Sequence, residues 1–192
     1  MRPSDNFGGL YDQTGLYEGA VINWDAGHAA IRLITISVPV QIRSFWYRIC
    51  EDLHPMERHY GPEGVAPRPR SQDSYSVVTV DGLPIGLAWV QAPSSTTRAY
   101  GFGLFPECRK LGHGICVKHA LIDRCFEEAS DIHKVEAEVI GANLWSLKVL
   151  HGVDDIMTEE GRVRETVYID GHYYDRIFFG ITRSVWQALR EG

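Results

Sequence analysis

The sequence has no excess of positive charge. Its 192 residues carry 19 Lys and Arg against 25 Asp and Glu, a formal net charge of −6. A nucleic-acid surface needs a broad basic field, so the composition argues against one. Long apolar runs are missing too. No stretch approaches the roughly 20 residues of a membrane helix, and the opening MRPSDNFGGLYDQTG has no signal-peptide core. The expectation is a cytoplasmic protein with no membrane partner. The four cysteines, Cys50, Cys108, Cys116 and Cys125, show no Cys-x-x-Cys spacing. That argues against a redox dithiol or a metal site. There is no internal repeat and no low-complexity tract. What is present, 44% apolar and 23% charged residues, is the composition of one globular domain with a sizeable core.

Positive charge is scarce overall but locally concentrated. Between Gly82 and Ile122 the only acid is Glu107, against Arg98, Arg109, Lys110 and Lys118. The window is +3 in a chain whose remainder is −9. It contains GFGLFPECRKLGHGICVKHALIDRCF, residues 101–126, which reads as an apolar strand, a glycine loop and an amphipathic helix. Arg109, Gly112 and Gly114 set an Arg-x-x-Gly-x-Gly spacing at the strand-to-helix turn. Glycine lets the backbone approach a ligand closely. The first N–H groups of a helix have no partner inside it, and the helix dipole adds positive potential there. Such a loop suits a phosphate or pyrophosphate.

Residues 1–19 read as a loose arm, and Ala20–Trp24 and Ile31–Ser37 as strands. Val40–Leu53 has Ile42, Phe45, Trp46, Ile49 and Leu53 at helical spacing. A proline-rich loop, 54–73, follows. Asp81-Gly82 between Ser74–Val80 and Leu83–Gln91 signals a hairpin. Ala99–Phe105 is a third strand of this region. The helix over Gly114–Ala129 is expected to bury Ile115, His119, Ile122 and Phe126. His133–Ile140 is a strand, and Asn143 caps a short helix to Leu150. Val163–Ile169 and Tyr173–Ile181 make a last hairpin around Asp170-Gly171. The pattern is a mixed α/β sheet with helices packed on it.

Several of these pieces, in this order, resemble the GNAT acyl-CoA N-acyltransferases. FGLFPECRKLGHG resembles that family's acetyl-CoA motif. VEAEVIGANLWS resembles its strand followed by Asn-x-x-Ser. EEGRVRETVYIDGHYYDRIFFGITRSVW resembles the C-terminal hairpin of the ribosomal-protein N-terminal acetyltransferase subgroup. The likeness runs from Ser74 to Trp186, with Ile31 in the first strand. It implies an α+β fold: one GNAT-like domain over 31–192, preceded by an arm and possible extra strand over 1–30. Its sheet is mixed and mostly antiparallel, with two splayed central strands and helices on both faces.

The resemblance also implies roles. Phe102, Gly103 and Leu104 would pair with the pantetheine arm of acetyl-CoA as an added strand. The loop opened by Arg109 would hold the pyrophosphate on the N–H groups of Lys110, Leu111, Gly112, His113, Gly114 and Ile115. Asn143 and Ser146 match positions near the cofactor sulfur. Amide formation needs a neutral amine, hence a base, and Glu138 occupies the position of the subgroup's glutamate. Period-two alternation puts it on the face of Glu136, opposite Val135, Ala137 and Val139. Glu107, Glu165 and Asp175 are the other carboxylates in view. The family's usual acid, a tyrosine, is replaced by Leu150. Ser146 takes that role here, with Tyr173 and Tyr174 as further candidates. His113 and His119 are read as exposed and packed respectively.

The expected acceptor is a small-molecule amine or a peptide N-terminus, drawn by an acidic rim of Asp154, Asp155, Glu159 and Glu160. No metal and no nucleic acid is expected, and a homodimer is left open. The alternative is a non-catalytic domain that binds acyl-CoA as a sensor or partner module.

Overall fold

The computed structural model describes residues 21–25, 30–37, 39–50, 73–152 and 156–191. The arm at 1–19, most of the proline-rich loop, Asp154 and Asp155 lie outside the described residues.

Among the described residues, eight strands form one sheet. β1 (Val21–Asp25) and β2 (Ala30–Ile36) pair antiparallel, and β2 continues onto β3 (Ser74–Val80). The hairpin of β3 and β4 (Leu83–Gln91) turns at Asp81 and Gly82, with φ of 51° and 81°. Positive φ at both central residues is the twist a two-residue hairpin turn requires. β5 (Thr97–Leu104) follows, then a 3₁₀ turn at Pro106–Cys108. After these come β6 (Lys134–Ile140), β7 (Thr158–Ile169) and β8 (His172–Thr182). The order is β1-β2-β3-β4-β5-β6-β8-β7, antiparallel except between β5 and β6. The second hairpin turn, Asp170-Gly171, repeats the first at φ 47° and 85°.

Helices cover both faces. α1 (Pro39–Cys50) lays Ile42, Phe45, Trp46 and Ile49 on Tyr75, Val77, Leu87 and Trp89. On the other face α2 (His113–Glu127) packs on Ala88, Tyr100, Val135, Ala137 and Ile177. Alternation divides the two cores, since successive strand residues point to opposite sides. The seam on α2 is rotated from the expected one. Val117, Ala120, Leu121 and Cys125 are buried with Ile122 and Phe126, while Ile115 and His119 are half-buried. The reason is a second load on α2: its other flank receives a C-terminal helix, α4 (Arg183–Glu191). Phe126 meets Trp186 with ring centroids 5.0 Å apart, and Trp186 donates to Asp123 at 2.7 Å. Arg183 also donates to the carbonyls of Phe126, Ala129 and Ile132 at 2.6–2.9 Å, closing the end of α2. α4 was not expected from the sequence.

Two buried cations tie the layers. Arg124 in α2 donates to the hydroxyls of Ser76 and Thr35 and pairs with Glu128. Lys118 is fully buried and donates to the Val149 carbonyl at 3.2 Å. Val149 lies in α3 (Leu144–Leu150), so Lys118 fastens α2 to α3. No helix among the described residues is long and apolar enough to cross a membrane.

Candidate functional site

β5 and β6 part company midway. They pair at Thr97↔Lys134, Arg98↔Val135 and Ala99↔Glu136, and no further. β5 nevertheless continues to Leu104, paired with β4 along its other edge through Gly86↔Leu104. β6 likewise runs on to Ile140, paired with β8. The result is a V whose vertex lies just past Ala99 and Glu136. Its inner edges are Gly101–Leu104 and Ala137–Ile140. An unpaired inner edge is a template for an added extended chain.

The V opens toward the glycine loop. Phe105 and Pro106 accept from the N–H groups of Cys108 and Arg109, which turns the chain after β5. Lys110 then takes φ 62° and Gly112 φ 85°. Among the described residues no hydrogen bond uses the main-chain N–H of Lys110, Leu111, Gly112, His113 or Gly114. Ile115 differs, because its N–H already donates to Gly112 at 3.3 Å. Five free N–H groups therefore cluster at the start of α2, with the dipole's positive end behind them. The two glycines act differently. A Cβ on Gly112 meets nothing within 4 Å, so its requirement is the positive φ. A Cβ on Gly114 would stand 3.0 Å from Val149 Cγ2, so Gly114 lets α2 and α3 approach.

The Arg109 side chain builds the loop. Its Nε donates to the Leu104 carbonyl at 3.0 Å and its Nη2 to that of Ile49 at 2.5 Å. Lys110 and Lys148 place their ammonium groups 5.1 and 4.7 Å from the Trp145 ring.

Asn143 caps α3, its side-chain oxygen accepting the Ser146 N–H at 3.0 Å. Leu150, at the position of the family's tyrosine, is 5% exposed and belongs to the core. Glu138 projects from β6 on the α1 side and is exposed, while Val135, Ala137 and Val139 are buried on the α2 side. Extending the register by two residues sets Glu138 opposite Gly101. Glu138 is thus the first side chain beyond the vertex on the open face.

The other carboxylates are spoken for or remote. Glu107 pairs with Arg48. Glu165, at φ 53°, gives its N–H to Asp175, which also holds Arg162 at 3.3 Å. Asp175, Tyr173 and Tyr174 line an open cavity of about 310 Å³ with His151 and Arg162. In the expected rim, Glu159 pairs with Arg162 and His151, and Glu160 with Lys134 at 2.5 Å. The hydrogen bond that Lys134 donates to Glu160, ahead of any other cause, raises the Lys134 ammonium's pKa. His113 and His119 are both half-buried. Burial pushes the Cys125 thiol up to about 12, and Cys108 and Cys116 also upward.

One element of the site had no forecast. The Trp89 indole lies over Gly101 at the vertex. The signal in the sequence was the glycine itself, in a strand beside a partner strand with a large aromatic.

No protein-family model matches the chain, and no curated protein matches it in sequence. Solved structures do match in fold. A probable GNAT-family acetyltransferase from Chromobacterium violaceum superposes with a TM-score of 0.67 at 15% identity, over 97% of this chain and 98% of that one. Mycobacterium smegmatis RimJ, solved with CoA-disulfide, gives 0.65 at 20% identity over 85% and 87%. The spermidine/spermine N-acetyltransferase SpeG of Vibrio cholerae gives 0.54 at 20% identity over 62% and 70%. The chain has the GNAT fold, as one α+β domain.

Proposed function

We propose that this protein is an N-acetyltransferase that moves the acetyl group of acetyl-CoA to a primary amine by direct attack. The observation that carries this reading is the V between β5 and β6, open beside five unused N–H groups. The donor's pyrophosphate would rest on the N–H groups of Lys110 to Gly114. Its pantetheine arm would pair with Phe102, Gly103 and Leu104. The free edge and the free donors fit that shape, and RimJ shares the fold and was solved with CoA-disulfide.

The chemistry follows from where the ends of such a ligand fall. With the pyrophosphate at α2, the thioester lies near the vertex. There the α2 side is filled by Tyr100, Ala137 and Val139, all buried. The acceptor must arrive from the Glu138 side. The amine lone pair forms the C–N bond and the C–S bond breaks. Glu138 takes the amine proton, directly or through one water. A backbone N–H on the unpaired edge of β5 meets the oxyanion. Ser146, from α3, donates a hydrogen bond to the leaving thiolate. Asn143 holds Ser146 in place through its cap.

Glu138 and Glu136 make the entry side polar and suit a cationic acceptor, a small amine or a protein N-terminus. SpeG, among the structures of like fold, is named as a spermidine/spermine N-acetyltransferase. The test is release of free thiol from acetyl-CoA across a panel of polyamines, aminoglycosides and basic peptides. Thiol release with mass-confirmed acetylation of one acceptor supports the reading. Tight CoA binding with no release on any amine supports the binding module instead, which the loss of a tyrosine at Leu150 would suit.

A further inference from the structure

The vertex of the V has a roof. Trp89 in β4 stands opposite Gly101 in β5. Its indole lies over that glycine so closely that a Cβ there would be 2.4 Å from Cζ2, 2.5 Å from Cε2 and 2.7 Å from Nε1. Only a residue without a side chain permits this. The ring is held from above by Trp46 of α1, edge-on at 5.4 Å and 67°. Beside it, Ile49 covers Gly103, where a Cβ would meet Cγ2 at 2.6 Å. Two glycines in one strand are thus each roofed by a large side chain from the α1 side.

We infer that the Trp89 indole limits the donor's acyl group to about the size of acetyl. This rests on the acyltransferase reading and adds a donor specificity to it. The walls around the vertex leave little choice. Ahead, β5 and β6 are hydrogen-bonded at Ala99↔Glu136. Beneath are Tyr100, Ala137 and Val139, and Tyr100 is locked by a hydrogen bond to the Met157 sulfur at 3.0 Å. Above is the indole, 8% exposed. The remaining direction passes Glu138, and the attacking amine needs it. A two-carbon acyl group leaves that exit clear. Each further methylene must displace a packed ring or press against the Glu138 carboxylate at that exit, and either costs binding, since a filled pocket discriminates by a factor of about 10 or more per methylene.

The test titrates CoA, acetyl-CoA, butyryl-CoA and hexanoyl-CoA into the full chain by calorimetry, then into Trp89→Leu and Trp89→Phe. The wild type is expected to bind hexanoyl-CoA about tenfold or more weaker than acetyl-CoA. Trp89→Leu should shrink that ratio to within about threefold, with Trp89→Phe between. Equal wild-type affinity for acetyl- and hexanoyl-CoA overturns the inference, whether or not either variant folds. So does an unchanged ratio in a folded Trp89→Leu. These results leave the CoA site standing as long as free CoA binds. Failure of free CoA to bind the wild type removes both the site and the inference built on it.

Discussion

Arg176 Nε stands 3.3 Å from Glu138 Oε1, reaching diagonally across β8 and β6 on the open face of the sheet. Both side chains are more than two-fifths exposed. An exposed pair of this kind contributes about 0–1 kcal/mol. Its effect is to orient the carboxylate at the mouth of the V, not to hold the fold.

Glu138→Gln should therefore leave the melting temperature almost unchanged and lower turnover by about 10²–10⁴. The loss should be greatest at low pH, where the acceptor amine is mostly protonated and most needs a base. A pH–rate profile of wild type and variant checks this. Superimposable profiles remove Glu138 as the base. Arg176→Ala should change stability by less than about 1 kcal/mol.

Gly112 supplies conformation, with φ 85° and open space around the missing Cβ. Gly112→Ala should cost about 1–2 kcal/mol of stability through the left-handed backbone alone. Gly112→Asp adds a charge beside the N–H groups that would meet the pyrophosphate. It should weaken CoA binding about tenfold beyond Gly112→Ala. Calorimetric titration of both folded variants decides. Equal affinities would place the pyrophosphate elsewhere.

Much of this site could be read from local signals. The two Asp-Gly turns, the Asn143 cap and the glycine loop each lie within a few residues of sequence, and each formed where expected. The parting of β5 from β6 followed from the family resemblance. What stayed hidden depends on residues far apart in the chain. Arg109 looked like a ligand for an anion, yet its fork reaches Ile49, 60 residues away. Trp89 sits within the expected strand Leu83–Gln91, and only the pairing register puts it over Gly101. β7 begins at Thr158, five residues before the expected Val163, because pairing with β8 sustains an exposed stretch that lacks alternation. α4 carries Val185, Trp186 and Leu189 at helical spacing, a signal only nine residues long at the end of the chain.

Cys125 provides a pH test of the core. Its thiol is raised from 9.0 to about 12, chiefly by burial. The folded state thus favours the neutral thiol. The stability this represents is fully present below pH 9 and is lost as pH rises toward about 12. In that window the slope is at most about 1.4 kcal/mol per pH unit for one group. Urea midpoints of the wild type should fall more steeply above pH 9 than those of Cys125→Ala. Parallel curves would show that the thiol is not desolvated.

Arg109 separates two roles that the Arg-x-x-Gly-x-Gly spacing alone confounds. If its charge served only to bind phosphate, its removal would leave the ligand-free protein as stable as before. The geometry says otherwise. Its Nε and Nη2 donate to the carbonyls of Leu104 and Ile49, the latter near the negative end of α1. Hydrogen bonds from a charged donor contribute about 1.5–3 kcal/mol each. Arg109→Ala should thus lower the ligand-free stability by about 2–5 kcal/mol. Arg109→Lys should restore less than half, because an ammonium has no fixed fork to span both carbonyls. Urea unfolding without CoA, set beside CoA affinity in each folded variant, reads the two roles apart. Unchanged urea midpoints with lost affinity would make Arg109 a phosphate ligand. Lowered midpoints in ligand-free protein make it the clamp that holds the end of β5 to α1, and through that end the edge on which the donor must lie.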